Sequence, residues 1–283
     1  MEKLKNYVNG KWVNSNSKEF LDVINPATQE FLAKVPSGKV TSKDIDEAVK
    51  SAHQAYLEWK DVPTMKRVQP LFKLKMLLEE NKIEISKIIT TECGKTLKES
   101  EGEIQRAIEN VEVACGAYVM NQSEFSENIA PGIDEFMIRQ PLGVCGCITP
   151  FNFPGMIPFW FLPYAIATGN AFIIKPSEKV PLTMQFIIEL IDKHLDLPKG
   201  LISLVHGGKE SVDQMLEHSK VKAISFVGST QVAKYIYLQA SKYGKRVQAQ
   251  GGAKNPLVIM PDVDLETTTQ IIIDSVYGCA GQR

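Results

Sequence analysis

The sequence predicts an α/β protein with a parallel, doubly wound sheet, preceded by a small β-hairpin and a helical segment. From residue 143 onward, short β-rich runs alternate with helical runs, which is typical of a parallel sheet covered by helices on both faces. Near the amino terminus, Asn-Gly lies between two alternating runs in YVNGKWV, a pattern that predicts a hairpin. Between these two regions, apolar residues recur at helical spacing.

The helical segment begins after residue 40. Thr41 is a suitable N-cap. The apolar residues that follow share one helix face, namely Ile45, Ala48, Val49, Ala52, Tyr56 and Trp59. Residues 65–120 continue as two or more long helices. The run NIAPGIDEFMIRQPLG then predicts an extended hairpin.

Six short runs predict the strands of the sheet: GVCGCIT, AFIIK, LISLV, KAISFV, RVQA and LVIM. No charged residue occurs from 140 to 174, and FPGMIPFWFLPYAIATGNAFII within this stretch is long enough to span a bilayer. Pro154, Pro158 and Pro163 interrupt any long helix there. A buried strand–helix–strand unit is therefore favoured over a transmembrane helix.

The composition indicates a globular protein, with 44% hydrophobic and 23% charged residues. A net charge of −1 gives no electrostatic reason to expect nucleic acid or a membrane surface as a partner. Five cysteines are too few and odd in number for a disulfide scaffold, and the first residues lack the apolar region of a secretory signal. We expect reduced thiols and a cytoplasmic location, with the mitochondrial matrix as an alternative.

Ligands of parallel sheets bind at the carboxyl ends of the strands, so the residues there are the candidates for a site. After the first run, Asn152 lies between aromatic residues and prolines. It is either a turn asparagine that hydrogen-bonds its own backbone or an amide donor to an oxyanion. After the second run, Lys175 and Glu178 either bind a ribose or form a solvated helix start.

After the fourth run, Gly228 and Ser229 open a helix, which suits either a phosphate site or an ordinary N-cap. The G-x-G-x-x-G fingerprint of dinucleotide binding does not occur. The four histidines show no metal-binding spacing. Cys145 and Cys147 lie on one face of a strand, and we expect them in the core.

Five motifs in order, PLGVCGCITPFNFP, KPSE, FVGST, GGAKNP and AGQR, together resemble the aldehyde dehydrogenase superfamily over essentially the whole chain. The resemblance implies an NAD-binding domain that needs no glycine fingerprint, with Asn152 as an oxyanion donor. It also implies contacts to NAD from Thr149, Phe151, Lys175, Glu178, Lys179, Ser229 and Gly251.

In this family the motif GQ-x-C carries the catalytic cysteine, and Gly281, Gln282 and Arg283 match its first three positions. The resemblance therefore places the nucleophile at position 284. Residues 1–283 alone are expected to be a truncated, inactive part of the enzyme. Cys279 comes too early in the motif for this role, and we expect it to contribute packing.

Alignment of GGAKNP on its lysine places Gln250 where hydrolytic members carry a glutamate. An amide cannot accept a proton near neutral pH. The pattern resembles the coenzyme A-acylating methylmalonate-semialdehyde dehydrogenase branch, in which arginines matching Arg106 and Arg283 hold the substrate carboxylate. Alternatively, Arg106 is a surface arginine paired with Glu103 or Glu109. Pro256 departs from the branch, which often has histidine there.

The resemblance implies NAD-dependent oxidation of methylmalonate or malonate semialdehyde, with coenzyme A as co-substrate, to propionyl-CoA or acetyl-CoA. A hydrolytic aldehyde dehydrogenase and a non-catalytic NAD-binding fragment are the alternatives. The predicted organisation assigns 1–120 to the hairpin and helices of the NAD-binding domain, 121–141 to an oligomerisation-type hairpin of a homo-oligomer, 142–255 to the parallel core, and 256–283 to the start of the catalytic domain.

Overall fold

The structure is a computed structural model, which describes residues 3–37, 42–279 and 281–282. Its strands are β1 (Asn6–Val8), β2 (Lys11–Val13), β3 (Phe20–Ile24), β4 (Phe31–Pro36), β5 (Glu124–Ala130), β6 (Ile133–Met137), β7 (Val144–Ile148), β8 (Ala171–Lys175), β9 (Ile202–Leu204), β10 (Val221–Val227) and β11 (Arg246–Gln250). Its α-helices are α1 (Ser42–Trp59), α2 (Thr64–Arg67), α3 (Gln69–Glu80), α4 (Lys82–Cys93), α5 (Leu97–Cys115), α6 (Ala117–Met120), α7 (Leu162–Ala167), α8 (Leu182–His194), α9 (Lys209–Glu217), α10 (Thr230–Lys242) and α11 (Leu265–Tyr277), and a 3-10 helix spans Ile157–Trp160.

A seven-stranded sheet with the order β11-β10-β7-β8-β9-β1-β2 forms the centre of the fold. The five strands from β11 to β9 are parallel, and β1 joins β9 and β2 in antiparallel pairing. Smaller two-stranded sheets are formed by β3 with β4 and by β5 with β6. The mainly parallel sheet and the amino-terminal hairpin confirm the predicted fold class.

The central strands are buried on both faces because helices cover the sheet. Every residue of β8 is buried, as are four of the five residues of β7. This is why these strands are continuous apolar runs without polar alternation. The uncharged stretch 140–174 forms β7, the 3-10 helix, α7 and β8, as predicted. In the part of the chain that the structure describes, no helix is both long and apolar enough to cross a bilayer.

The amino-terminal hairpin turns at Asn9 and Gly10, which both have positive φ, of 53° and 66°. Such φ values are those of the two-residue turns that match the twist of the flanking strands. The Tyr7 hydroxyl and the Trp12 indole donate to the two carboxylate oxygens of Asp192, over 2.7 and 3.1 Å. The hairpin is thus joined to α8. Thr41, the predicted cap of α1, lies outside the described residues.

Two predicted β segments outside the central sheet had different outcomes. The run 121–141 forms the predicted hairpin, with Phe125 and Phe136 exposed, whereas its role in an oligomer stays a prediction. The predicted strand LVIM at 257–260 is wrong, because the structure has irregular, exposed backbone there. Val258 is 80% exposed. An apolar run becomes a strand only when a neighbouring strand pairs with it, and among the described residues none does.

A buried carboxylate connects α4 to the start of α8. The side chain of Glu92 accepts from the backbone N–H groups of Leu182 and Thr183, over 2.7 and 2.9 Å, and from the Thr183 hydroxyl. These N–H groups belong to the first turn of a helix, where they have no partner within the helix. Burial raises the pKa of Glu92 to about 7, although the hydrogen bonds favour the ionised form.

The raised pKa of Glu92 predicts a pH-dependent contribution to stability. A carboxyl whose pKa is higher in the folded state stabilises the fold below its ordinary pKa of 4.5, and this stabilisation is lost as the pH rises to about 7. The loss is about 3 kcal/mol. We expect the difference in unfolding free energy between wild type and Glu92→Gln to fall by this amount over that range in denaturant titrations. Glu84 is exposed on the same helix, and Glu84→Gln is the control variant. An unfolding free-energy difference between wild type and Glu92→Gln that rises with pH would contradict the prediction.

Candidate functional site

The strand order opens a crevice at the carboxyl end of β7. From β7 the chain continues to β8 and β9 on one side, and it then crosses to β10 and β11 on the other side. The connections that leave β7 and β10 therefore run in opposite directions. Such a switch point is where doubly wound sheets bind their ligands. Residues 149–156 follow β7 and residues 228–230 follow β10, so both segments flank this crevice.

The first residues after β7 combine a buried polar atom with an exposed ring. Thr149 is 5% exposed, and its backbone N–H donates to the carbonyl of Lys175 over 3.2 Å. Its Oγ1 is buried and forms no hydrogen bond. Phe151 is exposed, and the Lys179 ammonium lies 5.1 Å from its ring centroid. Several other described residues also have a buried side-chain atom without a partner, and it is the place of Thr149 beside the crevice that makes its hydroxyl a candidate partner for a ligand.

Asn152 contacts a segment that is distant in the sequence. Its Nδ2 donates to the carbonyl of Gly281 and to Oε1 of Gln282, both over 3.1 Å. Gly281 has a φ of +78°, and a Cβ there would lie 2.5 Å from the Phe151 ring, so only glycine fits. The interpretation of Asn152 as a turn residue bonded to its own backbone is wrong. Arg283 lies outside the described residues.

A fully buried ion pair contacts the loop that carries Asn152. Lys95 Nζ lies 2.6 Å from Glu103 Oε2, and neither side chain has exposed area. Lys95 also donates to the Asn152 carbonyl and lies 4.1 Å from the Phe153 ring centroid. The second oxygen of Glu103 accepts from the N–H of Gly155 over 2.6 Å. Burial raises the pKa of Glu103, and Lys95 opposes this rise.

The end of β8 places a second charged pair beside the crevice. Lys175 is 4% exposed, and its ammonium donates to Glu178 over 3.1 Å and to the Pro176 carbonyl over 2.9 Å. Burial lowers the pKa of Lys175, with Glu178 opposing it. Burial alone would raise the pKa of Glu178, but Lys175 and hydrogen bonds hold it below its usual value. The interpretation as a solvated helix start is wrong, because α8 begins only at Leu182.

The start of α10 has the geometry of an N-cap. Ser229 Oγ accepts from the N–H of Val232 over 3.5 Å, and Gly228 N–H donates to the carbonyl of Gln250 over 3.0 Å. The N-cap interpretation of Ser229 is therefore confirmed, and its use as a phosphate site stays a prediction. Gly251 follows β11, and a Cβ there would lie 3.2 Å from Cα of Thr230. Because β11 is parallel to β10, Gln250 ends its strand at the same edge of the sheet.

Arg106 lies exposed on α5. Its predicted pairing with Glu103 is wrong, because Glu103 binds Lys95 and the N–H groups of Gly155 and Met156. None of the ion pairs found among the described residues joins Arg106 to Glu109. The guanidinium is therefore accessible to solvent, and its contact with a substrate carboxylate stays a prediction. Cys279 is half-buried and packs against the core.

Sequence reasoning missed the residues that support the loop, Lys95 and Glu103. Both are charged residues that sequence patterns assign to the surface, and no short motif joins them.

Two surface cavities of about 590 and 420 Å³ lie away from this site. One is lined by Lys3, Trp12 and Glu189, and the other by Arg139 and Arg246. The site is therefore defined by topology and side-chain chemistry rather than by cavity volume.

Comparisons with known proteins show what the chain is similar to. A sequence model described as "Aldehyde dehydrogenase family" matches residues 12–283. The chain is 48% identical over 283 residues to the malonate-semialdehyde dehydrogenase of Bacillus cytotoxicus, covering 100% of the chain and 58% of that protein. It is 48% identical over 285 residues to the Pseudomonas aeruginosa malonate-semialdehyde dehydrogenase, covering 100% of the chain and 56% of that protein.

Two solved structures are similar over the whole chain. A methylmalonate-semialdehyde dehydrogenase from Oceanimonas doudoroffii has a TM-score of 0.94 at 42% identity, and the match covers 57% of that chain. A putative methylmalonate-semialdehyde dehydrogenase from Sinorhizobium meliloti, complexed with NAD, also has a TM-score of 0.94, at 41% identity over 57% of that chain. The present chain thus spans a little more than half the length of these relatives.

The buried pair predicts a strong effect of removing its cation. Lys95→Met leaves the Glu103 carboxylate buried without a counter-ion, and we expect a loss of about 3–5 kcal/mol in unfolding free energy. The double variant Lys95→Met/Glu103→Gln is expected to recover part of this loss, because no buried charge remains. Urea unfolding of the three proteins measures both effects. A single variant as stable as wild type would contradict the assignment of a buried ion pair.

Proposed function

The chain belongs to the aldehyde dehydrogenase family, and from this premise we propose that it carries the NAD-binding part of a coenzyme A-acylating semialdehyde dehydrogenase. The proposed substrates are methylmalonate and malonate semialdehyde, and the products are propionyl-CoA and acetyl-CoA. The observation that carries the proposal is the contact of the Asn152 amide with Gly281 and Gln282. It joins an oxyanion donor to the segment that, by resemblance, precedes the catalytic cysteine.

The residues at the carboxyl edge of the sheet fit NAD. The unsatisfied hydroxyl of Thr149 is a free hydrogen-bonding group, and Lys175 with Glu178 offers both a donor and an acceptor to a ribose. The cofactor pyrophosphate would lie near Ser229, where the helix dipole of α10 favours an anion. Further contacts would come from Phe151, Lys179 and Gly251. Bound NAD supplies the hydride acceptor, and the NAD complex of the Sinorhizobium meliloti relative supports this assignment.

The chemical role of this chain's own residues centres on Asn152. When a thiolate attacks an aldehyde, negative charge develops on the carbonyl oxygen, and an amide N–H fixed at that oxygen stabilises it. Asn152 Nδ2 carries two hydrogens, and the loop that holds it is fixed by the Lys95–Glu103 pair. Both hydrogens are donated to Gly281 and Gln282 in this structure, so one of these hydrogen bonds must be exchanged for the bond to the developing oxyanion. By resemblance, the thiolate is that of a cysteine directly after Arg283.

The proposal that coenzyme A, and not water, accepts the acyl group rests on Gln250. The amide of Gln250 cannot act as the base that hydrolytic members use, so a thiol acceptor releases the acyl group. Overall, each semialdehyde reacts with coenzyme A and NAD⁺ to give a thioester, NADH and carbon dioxide. The substrate carboxylate leaves as carbon dioxide and a proton takes its place, so methylmalonate semialdehyde gives propionyl-CoA and malonate semialdehyde gives acetyl-CoA. The names of the relatives, which are malonate-semialdehyde dehydrogenases, support this branch.

We also propose a homo-oligomer and a cytoplasmic location for the whole protein. The hairpin of β5 and β6 exposes large apolar side chains, including Phe125 and Phe136, which are 66% and 70% exposed. Exposed apolar area of this kind is typical of a contact between subunits. The proposed partners are the small-molecule semialdehyde and a second copy of the chain, with no nucleic acid or membrane.

The dependence on coenzyme A separates the proposed enzyme from the hydrolytic alternative. We expect the whole protein to form NADH from malonate semialdehyde in steady state only when coenzyme A is present, as followed by absorbance. Residues 1–283 alone are expected to bind NAD and to form no NADH, because they include no cysteine at the position of the nucleophile. Steady turnover without coenzyme A would favour the hydrolytic alternative. An NAD-binding whole protein without turnover would favour the non-catalytic alternative.

The proposed role of Arg106 predicts a selective loss of activity. Arg106→Ala removes a charge-assisted hydrogen bond to the substrate carboxylate, worth about 1.5–3 kcal/mol. We expect kcat/KM for malonate semialdehyde to fall roughly 10- to 100-fold, while KM for NAD stays unchanged. Propanal, which lacks the carboxylate, is the control substrate and should be converted equally well by both proteins. An equal loss with propanal would contradict a role in carboxylate binding.

A further inference from the structure

The junction between α4 and α5, residues 93–103, contacts both segments that meet at Asn152. On one side it holds the loop after β7. Lys95 donates to the Asn152 carbonyl, and the Cys93 thiol lies 3.5 Å from the Phe151 carbonyl oxygen. Both backbone carbonyls next to the amide donor are therefore fixed by this junction. The loop leaves β7 with little freedom to change the position of the Asn152 side chain.

On the other side, the junction holds the segment that includes Gly281 and Gln282. Glu99 Oε1 accepts from the backbone N–H of Cys279 over 2.6 Å, across 180 positions of the sequence. Cys279 has a positive φ of 56°, so this backbone adopts a conformation that side chains disfavour. A short hydrogen bond to a carboxylate is a strong interaction, and it stabilises this conformation next to the contact with Asn152.

The Glu99 carboxylate is itself held in place. Its Oε2 accepts from the N–H of Thr96 over 2.9 Å and from the Thr96 hydroxyl over 3.0 Å, and the two residues form a capping box at the start of α5. Burial alone would raise the pKa of Glu99, but the N–H groups of Cys279 and Thr96 hold it below its ordinary value. Glu99 is thus a fixed acceptor at neutral pH, four residues from Lys95.

We propose that the α4–α5 junction sets the positions of Cys279, Gly281 and Gln282 relative to Asn152, and that Glu99 is a positioning residue for the reaction. This inference rests on the proposed function, since that function gives both segments a role at the reacting aldehyde. In this proposal Glu99 acts through the backbone of Cys279, and not by contact with substrate or cofactor. Displacements of about 1 Å between reacting groups lower rates by as much as a hundredfold, so the loss of this hydrogen bond should be visible in kcat.

Two variants separate this role from helix capping. Glu99→Ala and Thr96→Ala both remove the capping box. Thr96→Ala loses one hydroxyl bond to Glu99 but keeps the backbone N–H that holds Oε2, and only Glu99→Ala removes the acceptor of the Cys279 N–H. In the whole protein, we expect Glu99→Ala to lower kcat at least tenfold with KM for NAD unchanged, and Thr96→Ala to change kcat less than twofold. Glu99→Gln retains one acceptor oxygen for the Cys279 N–H but places its NH2 group against the Thr96 N–H, so we expect its kcat to lie between those of wild type and Glu99→Ala. Equal losses in the two alanine variants would overturn the proposal.

Amide hydrogen exchange at Cys279 tests the contact without any turnover. We expect the wild-type amide to be protected, with protection retained in Thr96→Ala and lost in Glu99→Ala. A wild-type amide that exchanges at the rate of an unprotected peptide would overturn the proposal, whether or not the variants fold. If the wild-type protein oxidises no semialdehyde, the proposed function fails. The exchange result then still decides whether Glu99 holds this segment.

Discussion

The pairing of β7 with β8 on one side and β10 on the other is the constraint on which the site depends. Each neighbour is parallel to β7, so all three strands end at the same edge. The connections from this edge diverge because the chain returns to the opposite side of β7 after β9. At Gly146 in this strand, a Cβ would lie 2.6 Å from Cε of Met215. The helix cover therefore packs directly on the β7 backbone.

Carboxylates connect this sheet edge to distant parts of the chain. Glu92, Glu99 and Glu103 each accept from backbone N–H groups of another element: the start of α8, the segment at Cys279, and the loop at Gly155. A carboxylate suits this task because its two oxygens accept several hydrogen bonds at once. The N–H groups at helix starts and in tight loops have no partner in their own element. The three residues lie within one stretch of twelve, so α4 and α5 form a common support.

Local patterns were sufficient where a residue's environment is set by its neighbours in sequence. The Asn9–Gly10 turn, the strand β8 and the N-cap at Ser229 follow from backbone conformation and local hydrogen bonds, and they were predicted. Patterns failed where the environment comes from elsewhere. The run 257–260 has the apolar β-branched residues of a strand, but no described strand lies beside it. For Lys175 the sequence left a ribose contact and a solvated helix start as alternatives, and only its burial by the sheet excludes the second.

The sequence by itself determined the fold class, the family and the candidate residues at the strand ends, because periodicity, turn residues and ordered motifs are properties of neighbouring positions. Only the tertiary structure decided that Asn152 faces Gly281 and Gln282, and that Lys95 and Glu103 form a buried pair beneath it. These contacts join residues far apart in the chain. Their strength comes from burial, which removes competing water, and burial is set by how the helices pack on the sheet.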